Sequence, residues 1–570
     1  MLNETRNCQN CKKDFSIEPA DFDFYKKIDV PPPTFCPECR FIRRMSWRNE
    51  RMLYRRPCDM CKKNIIAMYP AAAEFPVYCR ECWYSDGWDA TRYGREYDFR
   101  KPFFEQLRGL QRVVPKLALW QRNVINSDFS NMCGECKNVY LSVSVVVNSE
   151  NVFYSKAVDA SKDIFDSYNI KISEGCYQDI DGEKNYNTQY AIQSRNCIDS
   201  RYVYDCVNCR NCFMSTSLRN KEYYFRNQQL TKEQYIAEMA KINFGSRATR
   251  YDLLKEFNDI QLQSAHRFAN VLKSVNTTGN GISNAKNARN CFDVYDVENV
   301  KNCYRGFGFK DSMDFDYGLN SELMYEYTTG ATQDFNVKFS YSAMTNVRNA
   351  DYVECCVSGT NLFGCISVRN KSNVILNKAY SEEEFVLLRK KIIAQMNDMP
   401  FAGNNGRVYR YGEFFPMELS PFTYNESPAQ DFFPLTKDEA VARGYRWKDS
   451  ESRSHVATIP AESIPDSIIG VTESILTEAL GCVHSDCNHG CVKVFRLAPD
   501  ELAFYKKNII PLPDLCPNCR IHGRLERVLP PKLWHRQCMK EDCKNEFETP
   551  YAPERKEKIY CESCYQQEVV

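Results

Sequence analysis

Cysteines recur as close pairs at both ends of the chain. Near the start stand Cys8-x2-Cys11, Cys36-x2-Cys39, Cys58-x2-Cys61 and Cys79-x2-Cys82; near the end stand Cys487-x3-Cys491, Cys516-x2-Cys519, Cys538-x4-Cys543 and Cys561-x2-Cys564. Two thiolates two residues apart converge on one ion from a tight turn, and a second pair completes the tetrahedral sulfur shell that zinc accepts without redox side reactions. Four quartets follow: Cys8, Cys11, Cys36, Cys39; Cys58, Cys61, Cys79, Cys82; Cys487, Cys491, Cys516, Cys519; and Cys538, Cys543, Cys561, Cys564. Sulfur fills every coordination position, so the sites are expected to be structural, with four zinc ions per chain. The last two quartets have longer knuckles, and His484, His489 and His535 stand near them as alternative donors.

The intervals between pairs repeat. Cys11 to Cys36 and Cys491 to Cys516 are both 25 residues, Cys39 to Cys58 and Cys519 to Cys538 both 19, and Cys61 to Cys79 and Cys543 to Cys561 both 18. The flanking sequence repeats with them, as FYKKIDVPPPTFCPECR from Phe24 and FYKKNIIPLPDLCPNCR from Phe504. One two-site module is therefore written at both ends. A knuckle that opens a helix is the treble-clef arrangement, and the helix after Cys39 decides what the module meets. At about 100° per residue, Arg40, Arg44, Arg48, Arg51 and Arg55 share one face, an expected stripe about four turns long. Arginines without lysine suit planar, bidentate contacts such as phosphates, which makes nucleic acid the expected ligand of this face; acidic protein patches and plain solvent are the rival readings. The second copy keeps Arg520, Arg524 and Arg527, then breaks at Pro530 and Pro531.

Between the modules, from about 137 to 227 and from about 284 to 377, short runs of Val, Tyr, Phe and Cys alternate with Asn, Asp, Ser and Gly. A beat of about 11 residues, marked by Phe292, Tyr304, Phe315, Tyr325, Asn336, Val347, Phe363 and Val374, predicts stacked short parallel strands in a β-solenoid, with roughly 21 to 23 residues per two-beat coil. A meandering antiparallel sheet is the alternative. The two stretches match at an offset of 150: Tyr154 with Tyr304, Asp166 with Asp316, Tyr202 with Tyr352, Cys206 with Cys356 and Phe213 with Phe363. Thr231 and Ser381 have N-cap chemistry, so each stretch should end in a capping helix; a longer helix is expected over about 250–273. Cys206, Cys209 and Cys212, with Cys133 and Cys136, have spacings that suit a further metal or cluster, but the repeat puts Cys356, Gly359 and Leu362 opposite the first three, which favours buried thiols in a core.

Composition narrows the function. The chain has 570 residues and 29 cysteines, an odd number, and its opening MLNETRNCQNCKKDF has no apolar run, so metal rather than a disulfide framework and a cytoplasmic location are expected. No apolar stretch suits a membrane partner. With 75 Lys plus Arg against 74 Asp plus Glu, only local charge can select a ligand. No nucleotide-binding glycine motif or nucleophile–base pattern stands out, and enzyme activity is not expected; Asp314 and Asp316, on one face of a strand, are the single carboxylate pair that would suit glycosidic chemistry.

After Cys82 the sequence CWYSDGWDATRYGREYDF, and before the second module YRYGEFFPMELSPFTYN and DFFPLTKDEAVARGYRWKD, resemble an uncharacterised family of treble-clef, zinc-ribbon-containing proteins of small-genome bacteria of the candidate phyla. The likeness runs the whole length and implies the zinc and the architecture, with no activity to carry over. The expected fold is mainly β with α: a duplicated β-solenoid flanked by paired treble-clef zinc modules. The expected units are a zinc module at 1–95, a helical connector at 96–130, solenoid halves at 131–230 and 281–380 joined by a helical linker at 231–280, a capping helix at 381–400, an extended Pro- and aromatic-rich linker at 401–475 and a second zinc module at 476–570. Two functions compete: nucleic-acid association through the arginine stripe, and a scaffold or assembly protein whose modules make protein or self contacts. A polysaccharide-active solenoid enzyme is the weaker third.

Overall fold

From Asn151 to Arg226 every third residue has a positive φ, and the same spacing runs from Asn284 to Thr329 and from Asn346 to Leu376. Asn and Asp hold many of these corners because their short polar side chains tolerate the left-handed region. Each corner turns the chain, and after four triplets it returns beside itself: Lys162 pairs with Glu174 and Ile164 with Cys176, in parallel, twelve residues on. The computed structural model describes residues 3–330, 332–342, 344–449, 456–484, 487 and 490–569. Within them the fold is mixed α/β with more strand than helix, built on two large, curled, parallel sheets of 14 and 11 strands. The first stack starts at Gln121–Ile125 and the second at Val271–Leu272. The parallel strands rule out the antiparallel meander. The expected coil of 21 to 23 residues is corrected as well: one beat is a whole turn of the curl, and its length is 12, rising to 13 where Tyr325 faces Lys338.

The residue after each corner points inward. Cys291, Val294, Val297, Val300 and Cys303 are successive inward positions, all buried. Serines take the same place without leaving a polar group unmet. Ser155 Oγ donates to the Phe153 carbonyl at 2.9 Å and accepts the Ser167 N–H at 3.0 Å. Cys206, Cys209 and Cys212 are three more inward residues, and each thiol donates to the carbonyl two residues back, at 3.5, 3.4 and 3.4 Å. They are buried in the core of the first stack, and Cys133 and Cys136 are buried likewise.

Each stack closes with a short antiparallel turn and a capped helix. Thr231 accepts the Gln234 N–H at the head of Lys232–Ala240, and Ser381 the Glu384 N–H at the head of Glu382–Asp398; both form reciprocal capping boxes. The linking helix is Arg247–Gln263, shorter than the sequence suggests, because Ala265–Arg267 leaves it to pair with Lys558–Tyr560 of the C-terminal module. The stacks touch through Tyr168 and Tyr304, whose hydroxyls are 3.3 Å apart.

Candidate metal centres

All four cysteine quartets are built alike. An antiparallel hairpin presents the first pair and the first turn of a helix the second. In the first quartet, Glu4–Asn7 pairs with Asp14–Ile17 around Cys8 and Cys11, and Cys36 caps the helix Pro37–Met45 with Cys39 in its first turn. In the second, Tyr54–Pro57 pairs with Asn64–Ala67, and Cys79 caps Arg80–Tyr84. Lys12 and Lys62 take left-handed conformations at matching places in the two knuckles, φ 62° and 63°. The third and fourth use Leu480–Gly481 with Val494–Phe495 and Trp534–Gln537 with Glu546–Thr549, followed by the helices Pro517–Leu525 and Glu562–Val569.

The four donor sulfurs of each quartet lie within 4.8 Å of one another. Across the two pairs, Cys11–Cys36, Cys61–Cys79, Cys491–Cys516 and Cys543–Cys561 are separated by 3.7, 3.9, 3.7 and 3.9 Å. An ion with four sulfurs at about 2.3 Å spaces them about 3.8 Å apart, so the donor sets fit zinc. In every quartet the first sulfur also accepts the backbone N–H of the third cysteine: Cys36 N to Cys8, Cys79 N to Cys58 and Cys516 N to Cys482 at 3.2 Å, Cys561 N to Cys538 at 3.3 Å. Such bonds favour the thiolate, the form a metal needs. Hydrogen bonds from Cys36 and then Cys39 hold the Cys8 thiol far below its ordinary value. Burial pushes Cys58 up, but the N–H groups of Cys79, Cys61 and Met60 outweigh it and bring the thiol down to about 7. Burial likewise opposes Cys561, which Asn545 and Ser563 help bring to about 6.

The third quartet corrects the sequence reading. Its members are Cys482, Cys491, Cys516 and Cys519; Cys487 instead groups with His484 and Cys519. Cys482 holds the place of Cys8, as the matching N–H to sulfur bonds show. The knuckle is x8 rather than x3, a spacing that does not mark Cys482 and Cys491 as a close pair. His535 bonds to Glu546 and Glu548 and is no part of the fourth quartet, and His489 lies outside the described residues.

The arginine stripe is also corrected, and the reason is tertiary. The helix ends at Met45, so Arg48 and Arg51 follow it and Arg55 lies in a strand. Arg40, Arg44 and Arg48 are 2%, 0% and 0% exposed. Arg40 grips Asp314 Oδ2 through Nε at 3.0 Å and Nη2 at 2.7 Å, and Arg44 reaches Asp316 at 2.6 Å and Asp314 at 3.2 Å. Between them Arg43 joins Glu326 at 2.8 Å to Glu413 at 3.1 Å. Arg48 pairs with Glu50 at 2.8 Å and lies over the Tyr317 ring, Arg51 pairs with Asp431, and Arg55 is the stripe's exposed member. Asp314 and Asp316 are thereby sealed beneath guanidinium groups, out of reach of a polysaccharide.

The same clamp recurs at the other end. Arg520 and Arg524, 480 residues after Arg40 and Arg44, both bind Asp166, the partner of Asp316 at the 150-residue offset. Arg520 Nη1 and Arg524 Nη1 each lie 2.7 Å from an Asp166 oxygen, and Arg520 also meets Glu501 at 3.0 Å. Burial alone would lower the basicity of the Arg40 guanidinium, but Asp314 and the other groups facing it outweigh that and hold it well above the ordinary value. The attachment is crossed: the N-terminal module clamps the second stack and the C-terminal module the first. Trp83 and Trp88 are buried at the N-terminal seam, Trp534 half-buried, and Lys532 meets Glu38 at 2.7 Å where the two modules touch. No protein-family model matches the chain, and no curated protein matches it significantly. No helix among the described residues is long and apolar enough to cross a membrane.

Proposed function

We propose that the chain is a zinc-held scaffold, in which two copies of a narrow β-solenoid are each locked by a treble-clef module from the opposite end of the chain. The observation that carries this reading is the destination of the arginines. Arg40, Arg44, Arg520 and Arg524 are consumed by buried carboxylates of the stacks, so the modules work as clasps. Removing either partner of such a pair strands a charge in the interior, so the clasp commits the fold to one arrangement. The nucleic-acid reading loses three of its five residues, Arg40, Arg44 and Arg48, to burial.

Four structural zinc ions are part of the proposal, supported by the sulfur spacings and the shared N–H to sulfur bonds. No disulfide joins any of the 29 cysteines, which leaves the thiols of the quartets available to a metal. The scaffold would meet a protein partner or a second copy through the outer faces of the stacks. Those faces carry ladders of side-chain amides, such as Asn336 to Asn349 at 3.0 Å and Asn361 to Asn373 at 2.8 Å.

Hydrogen exchange before and after zinc is stripped by a strong chelator tests the reading. Residues 8–82 and 482–564 should lose protection first, the stacks later, and added zinc should restore both. Modules that keep full protection without zinc would refute it.

A further inference from the structure

We propose that the third quartet is one half of a two-ion centre, whose second zinc position is formed by His484, Cys487 and a bridging Cys519 thiolate. The proposal rests on the zinc reading above and adds a site to it. The quartet is complete without Cys487, because Cys482 supplies the fourth sulfur. The x8 knuckle is six residues longer than that of Cys8 and Cys11, and the extra length carries both His484 and Cys487. Cys487 Sγ lies 3.6 Å from Cys519 Sγ, close to the spacing of about 3.8 Å for two sulfurs on one zinc ion. A ring nitrogen of His484 lies within 4.8 Å of both sulfurs. The His484 carbonyl oxygen lies 2.9 Å from Cys491 Sγ, so His484 itself stands beside the quartet.

A thiolate keeps lone pairs after binding one ion, so Cys519 can serve two. Three protein donors leave a fourth position for water, the difference between an exchangeable site and a closed structural one. His484 is exposed and Cys487 half-buried, so solvent and chelators reach this ion first. Among the described residues no other quartet has a surplus donor group beside it.

The test is zinc per chain by elemental mass spectrometry, after dialysis of the full-length protein to equilibrium against a zinc buffer. Wild type and the H484A/C487S double variant are compared, each with a thermal melt and a chelator-competition time course. Five ions in the wild type, one leaving well ahead of the rest, and four in a variant of unchanged melting temperature are expected. Four ions in both proteins would overturn the second position. A variant that unfolds or loses two ions would place Cys487 inside the quartet and overturn it too, and Cys482→Ser checks this independently, since on the present assignment that change destabilises the C-terminal module. Fewer than four ions in the wild type would remove the underlying zinc reading as well.

Discussion

Asp166→Ala should release the C-terminal module. Asp166 is fully buried and accepts from Arg520 and Arg524, both at 2.7 Å. Without it Arg524 keeps only the Tyr154 carbonyl, at 2.5 Å, whereas Arg520 retains Glu501 at 3.0 Å. Breaking a buried pair from one side costs about 3–5 kcal/mol, and the surviving Glu501 contact points to the lower end of that range. At about 1.4 kcal/mol per factor of ten, the opening constant of the module should rise about a hundredfold or more. Amide exchange over residues 482–564 reads this directly, and the crossed attachment makes it selective. Asp166→Ala should leave residues 8–82 protected, and Asp316→Ala should do the reverse. Lys137→Ala, which breaks a pair at 3.0 Å on the exposed face of the first stack, is the control and should change little. If Asp166→Ala behaved like that control, or loosened the N-terminal module instead, the clasp would not exist as described.

Two further predictions concern pH and the arginines. Burial lifts the Asp179 carboxyl to about 7, against the hydrogen bonds from Thr188 and the Ala191 N–H. Its folded value exceeds the unfolded one of about 3.9, so its contribution to stability is full below about pH 4 and lost as pH rises through about 7. Urea midpoints of wild type should therefore fall between pH 5 and 8 relative to Asp179→Asn; parallel trends would contradict this. Arg44→Glu, which places a carboxylate against Asp314 and Asp316, should unfold the N-terminal module, whereas Arg55→Glu at the exposed end of the stripe should leave the urea midpoint unchanged. A folded Arg44→Glu protein with a flattened salt dependence of nucleic-acid binding between about 50 and 200 mM would restore the phosphate reading.

Much of the metal site was legible because ligand spacing is a local property. A CxxC pair is made by one turn, and the equal intervals betray the copying. Cys482 was not legible by that rule, since a loop of eight residues separates it from Cys491; the odd cysteine count was the remaining hint. Only Arg40 and Arg44 of the expected stripe lie on the helix, which ends at Met45, and their surroundings were missed because a helical projection shows which residues align but not where the helix stops or what covers it. The missing half was in the middle of the sequence: Asp316 and Asp166 match at one offset and Arg44 and Arg524 at the other, and complementary charges duplicated together point to contact. The coil length was misjudged for a different reason. In NARNCFDVYDVENVKNC an Asn or Asp stands at 287, 290, 293, 296, 299 and 302, a period of three that marks left-handed corners.

The crossed clasp is tested most directly by zero-length carbodiimide crosslinking of dilute protein, read by peptide mass spectrometry. Lys27 and Asp311 lie 2.9 Å apart between the N-terminal module and the second stack, and Lys532 and Glu38 2.7 Å apart between the two modules; all four side chains are partly exposed. The account predicts both links within single chains. Lys27 joined to carboxylates of the first stack, or to none beyond its own module, would contradict it.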